Sequence, residues 1–292
     1  MSIQVSVVVP VYNGERTLGD CLRSLQAQNL PNVAYELIVV DDGSDDASAT
    51  IATGFGARVV RQPNAGAAAA RNAGLSAARA DWIAFTDADC VASRGWLKTL
   101  LRSAALAGED VICVAGKTVG LASETPAARF VDLKGGLDAG RHLAHPRYPF
   151  APSGNVLYRR AALAAVGGYD PRYRSYEACD LHQRLGAAGG RSIFEPGAMI
   201  FHRHRATWSE YWRQQRSYGA GLAQFMRARV DEIRWSLADE LRAWSGVVAC
   251  GARAILPGNA DAVLERRGTF VKTFAQRVGF VAEYWARGRA RW

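Results

Sequence analysis

The chain has 292 residues, 49% of them hydrophobic, which is enough to bury one substantial core or one core plus a small accessory unit. Its five cysteines (Cys21, Cys90, Cys113, Cys179, Cys250) are scattered and never paired as CxxC, which excludes a zinc knuckle or a disulfide framework and fits reduced core thiols. The net charge of +9 is uneven: residues 203–292 hold 16 Lys+Arg against 8 Asp+Glu, whereas residues 1–202 hold 20 against 19.

The opening MSIQVSVVVPVYNGE lacks a basic stretch and a small-residue cleavage site, so it reads as a first strand over 5–9 and not as a signal peptide. No stretch reaches the roughly 18 to 20 apolar residues that a spanning helix needs, and a cytoplasmic chain is expected. Leu18, Cys21, Leu22 and Leu25 recur at helical spacing, and ELIVV at 36–40 is a second strand, giving a βαβ unit with a right-handed crossover. RVVR at 58–61 is a third strand, 67–80 an Ala-rich helix, and WIAFT at 82–86 a fourth strand ending in Asp87-Ala88-Asp89. This alternation predicts an α/β class with a mostly parallel sheet flanked by helices. In such sheets ligands bind beyond the carboxyl ends of the strands, so the polar clusters at 10–15, 41–46 and 87–89 belong to one rim. Further on, a helix is expected at 97–107 and a strand at 111–115, while GGLDAGRHLAHPRYPF reads as a loop. From Thr207 an apolar and aromatic stripe at helical spacing runs to Val248, Pro257-Gly258-Asn259 breaks it, and a last helix follows over 260–285.

Asp87 and Asp89, one residue apart at a strand end, can converge on a hard divalent cation and a ribose hydroxyl. A loop pair that caps the next helix has the same appearance. The set SVVVPVYNGERTLGDCLRSLQAQ, ELIVVDDGSDDAS, NAGAAAARNAGL and DWIAFTDADC, in this order and spacing, resembles the inverting glycosyltransferase family 2 over residues 3–205.

That resemblance implies a GT-A, Rossmann-like fold with a C-terminal helical extension. A catalytic domain over 1–205 would divide into a nucleotide-sugar half (1–95) and an acceptor half (96–205), followed by the tail 206–292. It implies a metal-assisted single displacement from a nucleoside diphosphate sugar, a UDP-sugar first, onto a hydroxyl of a glycan or lipid-linked glycan, as in polysaccharide biosynthesis. Mn2+ or Mg2+ would serve as cofactor. Pro10, Val11, Tyr12 and Glu15 would surround the base and ribose, Asp42 would meet the base edge, and Arg71 would lie near the base or diphosphate. Asp87, Ala88 and Asp89 would hold the donor, with Asp89, Asp87 and His202 on the metal; His204 is the second histidine of that segment. Taken singly, Asp42 also fits a helix cap and Arg71 a surface cation. APSGNVLYRRAALAAVGGYD resembles the acceptor-side segment, with Gly154 and Asn155 as acceptor-binding candidates or simply a turn.

In YEACDLHQRL, Ala178 stands where the family usually has its catalytic Asp. The base an inverting transfer needs would then be Glu177 or Asp180, three apart on one helical face. Glu177 could instead cap the helix, and Asp180 could pair with Arg184. Ala178 also keeps open a catalytically silent nucleotide-sugar-binding protein. A nucleotidyltransferase is the second alternative, although its glycine-rich basic phosphate loop is missing after the first strand.

The tail joins sixteen basic residues to Trp208, Tyr211, Trp212, Tyr218, Trp235, Trp244, Tyr284, Trp285 and Trp292. This mixture fits peripheral contact with an anionic membrane at its cytoplasmic face, or a helical cap, or a homo-oligomer interface. Nucleic acid is not expected, because the aromatics follow a helical period and form no stacking platform.

Overall fold

The computed structural model describes residues 3–31, 33–233 and 235–286. In chain order the elements are β1 (Ile3–Val11), α1 (Glu15–Gln26), β2 (Ala34–Asp41), α2 (Ser48–Gly54), β3 (Arg58–Arg61), α3 (Ala67–Ala77), β4 (Trp82–Thr86), β5 (Cys90–Ala92) and α4 (Trp96–Leu106). They continue as β6 (Val111–Gly120), α5 (Pro126–Leu133), α6 (Ala139–Leu143), β7 (Asn155–Arg159), α7 (Arg160–Ala165), α8 (Glu177–Ala187), β8 (Arg191–His202), α9 (Trp208–Arg227), α10 (Leu237–Ala254) and α11 (Ala260–Ala286). Two compact units result. The first is Met1–Leu121, Leu137–Arg172 and Glu177–Arg203; the second is Ala122–Gly136, Tyr173–Tyr176 and His204–Trp292.

The first unit is built on a sheet in the order β3-β2-β1-β4-β7-β6-β8-β5. The β1/β2, β1/β4, β2/β3 and β6/β8 pairs are parallel, and β7 and β5 run antiparallel to their neighbours. The near-continuous apolar run of β1 follows from burial on both faces. Val5, Val7 and Val9 face one core cluster with Leu18, Leu22 and Leu25 of α1 and Trp96, Leu97 and Leu100 of α4. Val8 faces the opposite cluster with Ile38, Ile83, Ala68 and Ala70 of α3 and Leu181 and Leu185 of α8. β1 lies between β2 and β4, so the chain's return direction reverses at β1/β4 and the loops after these two strands diverge there. That crevice is where an open α/β sheet binds its ligand.

Three readings of the sequence change. β6 extends to Gly120 instead of ending at 115, and Glu195 to Phe201 continues one strand, Arg191–His202. The stretch read as a loop contains α6, capped by the Asp138 side chain on the Arg141 amide. Just before it lies α5, whose Thr125 cap and Pro126 at the first turn are an ordinary helix start.

In the second unit the helical stripe is interrupted between Arg227 and Leu237, because capping boxes at Thr207/Glu210 and Ser236/Asp239 start α9 and α10 separately. Helices α9 and α11 meet backbone to backbone: a Cβ on Gly219 would strike the Gln276 carbonyl, and one on Gly279 the Arg216 carbonyl. The tail aromatics mostly pack between helices. Trp212 lies 5.3 Å from Phe274 and Trp235 5.1 Å from Phe280. The indole N–H groups of Trp235 and Trp244 both donate to Glu240, which also receives Arg277 at 2.7 Å. Trp285 is half-exposed, and Trp292 lies outside the described residues. Among the described residues no helix is long and apolar enough to cross a membrane.

Candidate active site at the β1/β4 crevice

The loops after β1 and β2 are tied to each other by side chains. The amides of Asn13, Gly14 and Glu15 donate to Ser44 Oγ, Ser48 Oγ and Asp46 Oδ2, each at 2.9 Å. In return, Asn13 Oδ1 accepts from the Asp45 amide and Glu15 Oε2 from the Ala47 amide. Val11 is buried in the sheet, whereas Tyr12 is 53% exposed at the loop's tip and Glu15 is exposed. Pro10 precedes them within β1. Of the two acids ending β2, Asp41 accepts from the Ser44 amide and Arg61. Asp42, only 4% exposed, accepts from Gln62 Nε2 at 2.6 Å and from the amides of Ala65 and Gly66. Its carboxylate thus already braces the loop into α3, and a nucleobase would have to share these oxygens.

At the end of β4 the arrangement turns on one buried cation. Arg71 of α3 directs Nη2 to Asp87 Oδ1 at 2.9 Å and Nη1 to Glu177 Oε1 at 3.0 Å, while its guanidinium lies over the Tyr169 ring. Burial works against the charge, but Asp87 and Glu177 more than offset it, so the pKa of Arg71 is raised and it stays cationic. Arg71, a candidate for the base or diphosphate side, is enclosed, with both terminal nitrogens on carboxylates. It joins the first acid of the Asp-Ala-Asp turn to the first residue of α8. Tyr176, held at φ +70, immediately precedes Glu177. Gly154 lies against the same acid: a Cβ there would come within 2.6 Å of Asp87 Oδ2. Tyr169 donates to Ser153 Oγ beside it, and Asn72 clamps the Tyr169 backbone through both its N–H and its carbonyl. Ala88 is half-buried on the other side of the turn, 3.6 Å from where a Gly14 Cβ would stand.

Asp89 has different company. The antiparallel β5/β8 pair sets Cys90 opposite His202, and the Arg203 amide donates to the Asp89 carbonyl. His202 Nε2 therefore comes to 3.5 Å from Asp89 Oδ1. Ligand atoms of Asp89, Cys90 and His202 all lie within 4.8 Å of one another. Burial, with Asp87 and Asp89 adding to it, pushes the Cys90 thiol well up, so it is neutral. A carboxylate with an imidazole suits Mn2+ better than Mg2+, which prefers oxygen ligands, so the donor set of Asp89 and His202 fits Mn2+. Asp87, expected as a ligand, stands outside this group, with one oxygen on Arg71 and the other against Gly154. His204 does not accompany His202, because β8 ends at His202 and the strand alternation stops there; its Nε2 pairs with Asp132 at 3.0 Å.

On α8, Ala178 is buried and Asp180 is 7% exposed, with Arg184 Nε on its Oδ2 at 2.8 Å, the i,i+4 pair read from the sequence. Asn155 serves the sheet: its carbonyl accepts from Trp96 Nε1 and its amide donates to the Lys117 and Ala198 carbonyls. It is 2% exposed, with both amide hydrogens and one lone pair of its oxygen committed inside the protein. Reading residues alone missed Tyr169 and Cys90. Only the position of Cys90 directly after Asp89 hinted at its place.

The sequence model described as Glycosyl transferase family 2 matches residues 6–167, more than half of the chain. The chain belongs to this family. The pre-mycofactocin glycosyltransferase of Mycobacterium tuberculosis is 36% identical over 228 residues, 75% of this family 2 chain and 47% of that protein. The chain thus spans about half the length of that relative. The mannosyltransferase PcManGT from Pyrobaculum calidifontis, solved with GDP-Man and Mn2+, superposes with a TM-score of 0.71 at 18% identity, covering 98% of this chain and 88% of that one. Glucosyl-3-phosphoglycerate synthase from Mycobacterium tuberculosis, solved with Mn2+, UDP and glucosyl-3-phosphoglycerate, gives 0.53 at 22% identity over 77% and 80% of the two chains. These likenesses establish the GT-A fold.

Proposed function

We propose that this chain is an inverting glycosyltransferase that moves a sugar from a nucleoside diphosphate sugar, a UDP-sugar first, to a hydroxyl of a glycan or lipid-linked glycan. The observation that carries the proposal is the Arg71 fork, which ties Asp87 of the strand-end turn to Glu177 of α8 beside the Asp89/His202 pair. The ligands in the two solved GT-A structures support a nucleotide sugar and Mn2+ here. Asp89 and His202 would hold the cation, which when bound would offset charge on the departing diphosphate.

Glu177 is the better base. Arg71 holds Oε1 in place, leaving Oε2 to take the proton as the acceptor oxygen bonds to the anomeric carbon and the bond to the diphosphate breaks. Attack from the face opposite the diphosphate inverts that carbon. Asp180 is turned to Arg184 and serves α8. Tyr12, Pro10, Val11 and Glu15 would flank the nucleoside. Gly154, with no side chain to displace Asp87, would let the acceptor approach. Glu177→Gln should lower kcat by about 10²–10⁴-fold with little change in donor affinity. Asp180→Asn should mainly lower the melting temperature. A Glu177→Gln enzyme as fast as the wild type would remove Glu177 from this role.

The cationic excess of residues 203–292 supports action at the cytoplasmic face of a membrane, where a lipid-linked acceptor would lie.

A further inference from the structure

Helix α10 has two unlike faces. Glu240, Val247 and Ala254, seven residues apart, are buried within the second unit. About a quarter-turn round the helix from them, Leu237 is 69% exposed, Leu241 64%, Val248 70% and Ile255 83%, and Leu256 follows at 52%. Steps of four, seven and seven residues place the first four on one line of a helix. Ala238, Ala249 and Ala252 are exposed beside them. A single exposed Leu is ordinary, but an aligned row along an 18-residue helix, about 27 Å of rise, is not.

The net charge beside this row is positive. Of the helix's two acids, Glu240 is buried against Arg277, and Asp239 is bound to the Ser236 cap and Arg242. Arg242 and Arg253, three turns apart and both exposed, lie along the same flank of the row. The aromatics, which the sequence would make the interfacial residues, are largely occupied between helices, as Trp212 and Trp235 are.

We propose that this face of α10 docks on an anionic lipid bilayer, with Leu237, Leu241, Val248 and Ile255 entering the acyl boundary and Arg242 and Arg253 meeting the phosphate headgroups. The assignment rests on the membrane reading above and names the surface that carries it. Charge favours the lipid over a second copy of the chain, because a two-fold partner would bring the same net positive flank, its one half-buried acid, Asp239, already bound to Arg242.

Flotation of the full chain tests this with vesicles of phosphatidylcholine and phosphatidylglycerol in equal parts, against phosphatidylcholine alone. The wild type should float with the anionic vesicles. Leu241→Gln combined with Val248→Gln should weaken partition about a hundredfold, with the melting temperature kept. Arg242→Gln combined with Arg253→Gln, which leaves the packing untouched, should abolish the preference for phosphatidylglycerol. A wild type that binds neither vesicle overturns the membrane reading and this surface together. Equal binding by the wild type and the apolar double variant keeps the membrane reading and overturns the α10 assignment. A wild-type dimer that becomes monomeric in the apolar variant, by sedimentation without lipid, gives the face to a second copy.

Discussion

Arg71 shows how a side chain acquires its meaning from what encloses it. In the sequence it is one cation on an Ala-rich helix; folded, it bridges two carboxylates sixteen and 106 residues further along the chain. His182 is a second such residue. Its Nε2 meets Tyr158 Oη at 2.7 Å and its Nδ1 meets Ser192 Oγ at 3.2 Å, and burial pulls its pKa from 6.5 down to about 3. The unfolded chain takes up this proton below pH 6.5, whereas the folded chain resists it until about 3. Stability is therefore full above 6.5 and declines as pH falls, by about 2 kcal/mol between 6.5 and 5. Melting temperature measured across that window should drop in the wild type and stay nearly flat in His182→Gln. Equal slopes would mean that other groups carry the acid sensitivity.

At the scale of elements, β1 to β4, α1, α3 and α4 were readable because each has a strong period and turn residues at its ends, whereas α2 and the three-residue β5 were not read from the sequence. The rest was hidden for identifiable reasons. α5 begins on a local cap within a stretch without long periodicity, and β8 carries Glu195 and Pro196 through a register shift against β6. The Asp89/His202 approach depends on β5/β8 pairing, which joins residues 112 apart and leaves no local trace. Asn155, an acceptor-side candidate by resemblance, is tied by its side chain to α4 through Trp96 and to β6 and β8 through the Lys117 and Ala198 carbonyls, contacts that leave no local trace. The α9/α11 crossing was also invisible, since Gly219 and Gly279 look like ordinary helix-weakening residues until the opposing carbonyls are seen. Gly219→Val should force the helices apart and destabilise the second unit by about 3 kcal/mol, measured by denaturant unfolding. A loss below that of an exposed helix glycine would contradict the close crossing.

For the molecule as a whole, the family 2 match covers residues 6–167, whereas α8, with Glu177, and His202 lie beyond it. Base and metal assignments consequently rest on geometry, and donor binding has the family behind it. The unit holding α9 to α11 contains no residue of the proposed chemistry and carries most of the excess positive charge. The membrane contact proposed for the α10 face belongs to this unit. The central claim is tested most directly by release of nucleoside diphosphate from a panel of nucleoside diphosphate sugars with Mn2+, comparing the wild type with Asp89→Ala. One donor should be consumed, with or without an acceptor, only when the metal is present, and Asp89→Ala should lose that release. Consumption of no donor, or undiminished release by Asp89→Ala without metal, would contradict it.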